Sequence, residues 1–319
     1  MKNIFFNMVM VVVAVCIAGL LGEGLLVLKN RDMQNYDIEM WRYAKLLKTR
    51  SANPKLGHEH APNRQATLQS VQIRTNNWGL RGPNIQTESP KKRRILFLGS
   101  SVTLGWGVPE DQTLPAMIGA ELGDDVEVLN AGIGNYNMVK YIELFFSKLT
   151  PLKPTDIVLD FFIADPGVRK SEQSNWLLAH SQLAVVVWHI YNGLVSKDSS
   201  EDMVSYYKSL YDPNSSGYRD MVKALDRIKA YADANGIRLY LIITPEIYYL
   251  GNYLYGFAHE AISKEAQSRG IKYIDPLPAF EGIHDPKTLW AMPTDHHPNA
   301  KANRIITDYC INNNFFKIQ

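Results

Sequence analysis

The stretch that decides the fold is Ile95-Leu96-Phe97-Leu98-Gly99-Ser100-Ser101-Val102-Thr103-Leu104-Gly105. Four consecutive apolar residues ending at a glycine read as a short strand buried on both faces, with a turn behind it. The pattern returns along the chain. Val126-Glu127-Val128-Leu129 runs into Asn130-Ala131-Gly132, and Ile157 to Ile163 is a third run. Ile237 to Thr244, stopped by Pro245, is a fourth, and Lys272-Tyr273-Ile274 is a short fifth. Helical stretches separate them: over residues 218–234, Met221, Ala224, Leu225, Ile228 and Tyr231 share one face, and Asn235-Gly236 supplies a stop. Strands alternating with helices predict a three-layer α/β/α domain built on a five-stranded parallel sheet.

Working outward, the 319 residues carry 34 Lys+Arg against 32 Asp+Glu, a net charge of +2, which is no footprint for a nucleic-acid partner. A hydrophobic share of 46% excludes a disordered chain. Cys16 and Cys310 allow at most one disulfide, so this is no disulfide scaffold. From Ile4 to Leu28 the chain is apolar except for Asn7 and Glu23, long enough to cross a bilayer. Ala14-Val15-Cys16 and Cys16-Ile17-Ala18 match a signal-peptidase site poorly, which favours an uncleaved single-pass anchor over a cleaved signal peptide. Lys2 before the span and Lys29 and Arg31 after it leave the orientation undecided. The expected organisation is an anchor over 1–30, a membrane-proximal stalk over 31–92 that packs partly on the main domain, and that domain over 93–319. His58-Glu59-His60 lacks a third ligand at a recognised spacing and implies no metal site. Residues 176–195 are mostly apolar and predict one helix that packs under the domain or lies against the membrane, with a loop over 196–202.

Active groups of open parallel sheets gather past the carboxyl ends of the strands. There the chain places Ser101, the loop Asn130-Ala131-Gly132-Ile133-Gly134-Asn135-Tyr136-Asn137, the turn Ala164-Asp165-Pro166, and the late block Thr294-Asp295-His296-His297-Pro298-Asn299. A serine at a helix start is by itself an ordinary cap, and so is an aspartate. A serine, an aspartate and a histidine at one sheet edge form a candidate nucleophile, orienting carboxylate and base.

Gly99-Ser100-Ser101-Val102-Thr103-Leu104-Gly105, with its lead-in over 73–82 and the late Asp295-His296-His297-Pro298-Asn299, resembles the SGNH (GDSL-type) hydrolases, in their membrane-anchored, polysaccharide-modifying branch. The resemblance covers about residues 73–315. It implies a flavodoxin-like strand order, Ser101 as nucleophile, His297 as base and Asp295 as its carboxylate. His296 is the local rival to His297, which directly precedes proline as the family's histidine does. Many members carry the aspartate three residues before the histidine, where Thr294 stands here; Asp275 and Asp285 are remoter candidates. Ser100 replaces the family's aspartate beside the nucleophile, and Ala164 stands where an oxyanion-hole asparagine is usual. The remaining oxyanion donors are then the backbone N–H groups of Ser101 and Asn135, with the Asn135 or Asn137 side chain in place of the missing amide. The implied activity is ester hydrolysis or O-acyl transfer through an acyl-enzyme, without metal or organic cofactor. The expected partners are an acylated carbohydrate or small ester, here acetyl groups of an extracytoplasmic polysaccharide, and the membrane. The alternatives are a non-catalytic glycan-binding or assembly subunit and a lipid esterase. Tyr248, Tyr249, Tyr253 and Tyr255 offer either a stacking surface for sugars or plain packing.

Overall fold

The computed structural model describes residues 2–169, 175–195 and 203–318. In chain order the elements are α1 (Lys2–Lys29), α2 (Tyr36–Leu47), β1 (Lys48–Arg50), β2 (His58–His60), β3 (Gln65–Leu68), β4 (Val71–Arg74), β5 (Arg93–Gly99), α3 (Ser101–Leu104), α4 (Leu114–Leu122), β6 (Val126–Gly132) and α5 (Met138–Leu144). There follow β7 (Asp156–Phe162), α6 (Trp176–His180), α7 (Gln182–Val195), α8 (Met203–Leu210), α9 (Ser216–Ala234), β8 (Arg238–Thr244), α10 (Gly256–Ser268), β9 (Lys272–Ile274), β10 (Trp290–Met292), β11 (Asp295–Pro298) and α11 (Ala300–Asn312).

The five apolar runs form one parallel sheet in the order β6-β5-β7-β8-β9, the flavodoxin-like arrangement. Alternation along β5 divides the core. Leu96 and Leu98 pack with α5, α9 and α10, while Ile95 and Phe97 pack with α4 and α11. At the amino ends of the strands Asp156 receives two bonds from Arg93 and two from Arg238, at 2.7–3.0 Å. Burial pushes the Asp156 carboxyl up, but the two guanidinium groups outweigh it and hold the group below its ordinary range. That cluster ties β5, β7 and β8 at the edge away from Ser101.

Residues 31–92 fold onto this domain through α2 and two small hairpins, β1–β2 and β3–β4. The Asn35 side chain caps α2 by accepting from the Ile38 N–H at 3.0 Å. Buried Arg81 donates to the carbonyls of Leu104, Gly105 and Val108 at 2.5–2.6 Å, fixing the loop behind α3. Tyr43 pins the loop after β6: its hydroxyl accepts from the Gly134 N–H at 2.9 Å and bonds His60 Nε2 at 2.5 Å. His60 Nδ1 donates to the Gly79 carbonyl at 3.1 Å, so Nε2 accepts from Tyr43. Burial lowers the His60 pKa to about 3 and keeps the ring neutral. His58 Nε2 bonds the Gly134 carbonyl at 3.1 Å, so both histidines of the His-Glu-His stretch are bound into the fold.

α1 is long and apolar enough to cross a membrane, by length and composition. The single helix expected over 176–195 is instead two, α6 and α7, because Ser181 caps the second: the Ala184 N–H donates to Ser181 Oγ at 3.0 Å. The expected loop over 196–202 lies outside the described residues.

Candidate active site

β5 ends at Gly99, and α3 starts at Ser101 with Ser100 as its cap. Gly99 has a steric reason: a Cβ there would stand 1.8 Å from Thr103 Oγ1. The close approach lets Thr103 donate to Asp160 on β7 at 2.7 Å, and Thr244 on β8 donates to the other Asp160 oxygen at 2.6 Å. Full burial raises the Asp160 pKa to about 6 against the pull of those two hydroxyls. Asp165, also buried, is raised to about 7 and accepts from Tyr141 Oη at 2.9 Å.

The β10–β11 hairpin brings the late block to the same sheet edge. His297 Nε2 lies 2.8 Å from Ser101 Oγ, and His297 Nδ1 lies 2.5 Å from Asp295 Oδ1. Nδ1 donates to the carboxylate, so Nε2 is the acceptor facing the serine. The same Asp295 Oδ1 accepts the backbone N–H of His297 at 3.2 Å. This local turn, aspartate to the N–H two residues on, is how a two-residue spacing reaches the ring. Thr294 bonds the Gln34 carbonyl at 3.3 Å instead. Asp295 is buried, which by itself raises its pKa; the His297 charge and the bonds from His297 and Gln69 outweigh this and hold it below the ordinary carboxylate range.

The rival residues make other contacts, although His296 also lines the cleft beside Ser101. His296 packs its ring against Tyr248 and Trp290, with centroids 4.1 and 4.4 Å away, and burial lowers its pKa. Asp275 bonds His259 Nδ1 at 2.9 Å, and Asp285 caps a short helical turn. Among the four tyrosines, Tyr255 is buried and Tyr253 bonds His259, whereas Tyr249 is half exposed beside Tyr248.

Three contributions to the site carried no sequence signal strong enough to single them out. Gln69 Nε2 donates to Asp295 Oδ2 at 2.5 Å, so both carboxylate oxygens are bound. Gln69 and Ser70 form the β3–β4 turn, both with positive φ (47° and 61°), where an Asn-Gly pair is the usual solution. The Gln69 backbone N–H donates to buried Glu39 at 2.9 Å, which holds the turn to α2. Tyr36 stacks on the His297 ring at 6.1 Å between centroids. Glu246, after β8, lines the same cleft and is buried; burial raises its pKa, and one oxygen accepts from the Tyr248 N–H at 3.0 Å.

These side chains surround a cleft of about 240 Å³ lined by Ser101, His297, Tyr36, Phe162, Glu246 and Thr294, among others. Neither Asn135 nor Asn137 is part of its lining. Asn137 caps α5, accepting from the Lys140 N–H at 3.0 Å, and its amide donates to the Gly167 carbonyl at 2.7 Å. Asn135 takes a left-handed conformation, φ 67°, in the turn pinned by Tyr43. Ala164 accepts from the Gly167 N–H in its own turn and offers no side-chain donor.

No family model and no curated protein matches the chain. Among solved structures, it is similar to a protein from Desulfitobacterium hafniense DCB-2 described as lipolytic and of the G-D-S-L family, at 14% identity and a TM-score of 0.43, covering 69% of this chain and 98% of that one. A catalytic mutant of an acetylxylan esterase from Geobacillus stearothermophilus aligns at 12% identity and 0.45, covering 72% and 96%. A two-domain esterase active on acetylated mannans aligns at 14% and 0.46, covering 71% and 50%. What those proteins act on is a property of those proteins.

Proposed function

We propose that this protein is a serine-dependent ester hydrolase or O-acyltransferase. The observation that carries the reading is the hydrogen-bonded chain from Ser101 through His297 to Asp295 at the mouth of a cleft. A serine hydroxyl is a weak nucleophile until a base takes its proton. His297 Nε2 takes it as Ser101 Oγ attacks the carbonyl carbon, and the imidazolium formed is stabilised by Asp295. His297 then gives the proton to the leaving alkoxide, which departs as the alcohol and leaves an acyl-serine. Water attacks that ester and frees the acid, or a sugar hydroxyl attacks and carries the acyl group away; His297 serves again as base, and Ser101 regains its proton.

The tetrahedral oxyanion needs donors. Ser101 opens α3, where its N–H has no partner within the helix. Glu246 adds a buried acceptor for a substrate hydroxyl, which suits a carbohydrate ester. α1 is read as a retained anchor rather than a cleaved signal, supported by the bonds from Ser181, Gln182 and Leu183 to Glu23 that tie it to the folded chain. The reading places the domain at an extracytoplasmic membrane surface because acetylated polysaccharide is met there; the charges flanking α1 do not set the side.

One observation favours a second reading, a glycan-binding subunit without turnover: the Asn137 side chain is committed to α5 and Gly167, and Ala164 offers no amide. A fluorophosphonate probe separates the two. Covalent labelling that is lost in Ser101→Ala, together with release of acetate from acetylated oligosaccharide, supports the enzyme. A folded protein that binds the oligosaccharide but neither labels nor releases acetate supports the binding subunit. Faster hydrolysis of long-chain than of acetyl esters points to a lipid esterase.

A further inference from the structure

We infer that α7, with α6 ahead of it, is inserted in the same bilayer as α1 and holds the cleft at the headgroup layer. The inference rests on reading α1 as a membrane anchor and adds a second membrane-embedded element to it.

Four observations converge. First, α7 docks on the last third of α1. Gly19, Gly22, Glu23 and Leu26 are partly covered, at the i, i+3, i+4, i+7 spacing of a single helix face. A Cβ at Gly22 would touch Leu183 at 3.4 Å, whereas one at Gly19 or Gly24 meets nothing. On the other faces of the same turns Leu20, Leu21 and Leu25 are exposed. α7 therefore lies beside a stretch whose remaining surface is apolar and open.

Second, Glu23 stands six residues before Lys29, about 9 Å along the helix from its end. A carboxylate at that depth is costly unless it is bound. Its oxygens accept from Ser181 Oγ at 2.7 Å and from the N–H groups of Gln182 and Leu183, both at 2.9 Å. The first turn of a helix has N–H groups with no partner of their own, and in hydrocarbon no water serves them. The two deficits cancel, which places the start of α7 at the depth of Glu23.

Third, α7 runs from there back toward the end of α1. Val186 and His189 share a cavity with Leu26 and Lys29, and His189 lies 3.5 Å from Asp37 at the start of α2. That cavity adjoins the cleft, because Tyr36 and Thr294 line both.

Fourth, the outer surface of the unit is that of an interfacial segment. Residues 176–195 contain no Lys, Arg, Asp or Glu. Trp176 and Leu177 on α6, and Val187, Trp188, Ile190 and Tyr191 on α7, are exposed, while Leu178 and Val185 face Ile38. Trp and Tyr are the residues that settle at headgroup level. Continuity with the open apolar faces of α1 makes lipid the occupant of this surface.

The test uses the full chain, carrying Cys16→Ser and Cys310→Ala, in phosphatidylcholine–phosphatidylglycerol vesicles. Single cysteines are introduced by Ile190→Cys on α7, Val11→Cys on α1 and Lys223→Cys on α9, and each is labelled with an environment-sensitive dye. The expected result is blue-shifted emission and quenching by spin-labelled lipid at positions 190 and 11, with quenching by aqueous iodide at 223 alone. If position 190 behaves like 223 while 11 stays in lipid, the anchor stands and the inference falls. If neither 190 nor 11 meets lipid, the anchor reading falls with it. Protection of 190 from iodide without quenching by lipid means that protein covers α7, a second copy of the chain included, and also overturns the inference.

Discussion

Gln69→Met is the most informative single change. Methionine keeps the length and unbranched shape of glutamine but removes the amide that donates to Asp295 Oδ2 at 2.5 Å. Asp295 is buried, so no bulk water replaces the lost donor. A hydrogen bond to a buried charged group is worth about 1.5–3 kcal/mol. At 1.4 kcal/mol per factor of ten, that predicts a roughly ten- to hundredfold fall in kcat/KM. The pH profile gives a readout that a general loss of packing would not move. In the proposed reaction Asp295 acts as the ionised carboxylate, and the Gln69 bond helps to hold its pKa low. Losing the bond raises that pKa, so the acid limb of the profile moves to higher pH. Gln69→Glu goes further, placing a second carboxylate against Asp295; activity is lowest near neutrality and recovers in part toward acid, where the pair shares a proton. The assay is hydrolysis of 4-nitrophenyl acetate by the full chain in detergent, beside thermal melts of each variant. A folded Gln69→Met protein with kcat/KM within about twofold of the original and an unmoved acid limb would refute the reasoning.

Other perturbations reach the same network from different sides. Gly107→Ala forces a Cβ to within 2.6 Å of Gln69 Oε1 at a φ of +75°, so kcat/KM falls with the Gln69 variants and melting drops by the equivalent of about 1–3 kcal/mol, measured on one preparation. Asp160 is raised to about 6 in the folded chain against about 3.8 unfolded, so the folded state holds the proton more tightly; the contribution of this one group to stability is fully present below pH 4 and is lost, by about 3 kcal/mol, as pH rises through 6. In thermal melts from pH 4 to pH 8, Asp160→Asn shows a flatter dependence than the original chain. Glu246→Gln keeps a side chain of the same size but removes the carboxylate, and it raises KM for an acetylated oligosaccharide more than for 4-nitrophenyl acetate, which has no hydroxyl to recognise.

The sheet was readable because buried parallel strands leave continuous apolar runs. β5 to β9 follow the runs at 95, 126, 157, 237 and 272: β6 and β9 start where their runs start, β5 begins two residues earlier, β7 lies one residue earlier and β8 starts one residue later. The small hairpins over 48–74 left no such mark: strands of three or four residues with a burial pattern such as exposed-buried-exposed-buried are too short to show a period. Ser101, Asp295 and His297 stood out because residue types that carry chemistry followed strand ends, and the structure sets them within hydrogen-bond reach. Gln69 was illegible for a different reason. Its role depends on a turn with two positive φ values and on contact with a residue 226 positions away, and neither is written in local composition. Glu23, in an apolar span, suits either a headgroup-level position or a partner helix by sequence alone; the partner is the start of α7, whose Ser181 cap, Gln182 and Leu183 supply three donors. Asn137 shows the reverse case: an asparagine placed well in sequence for a donor gives its amide N–H to the Gly167 carbonyl, while its oxygen caps α5.

The central claim is that Ser101 carries the acyl group. The direct measurement is to incubate the full chain with 4-nitrophenyl acetate, quench in acid within the first turnovers, and read the mass of the peptide that contains Ser101. The account predicts one acetyl group on Ser101, absent in Ser101→Ala and sharply reduced in His297→Ala. A folded protein that releases nitrophenol while Ser101 stays unmodified, or that acquires the same acetylation in Ser101→Ala, would contradict it.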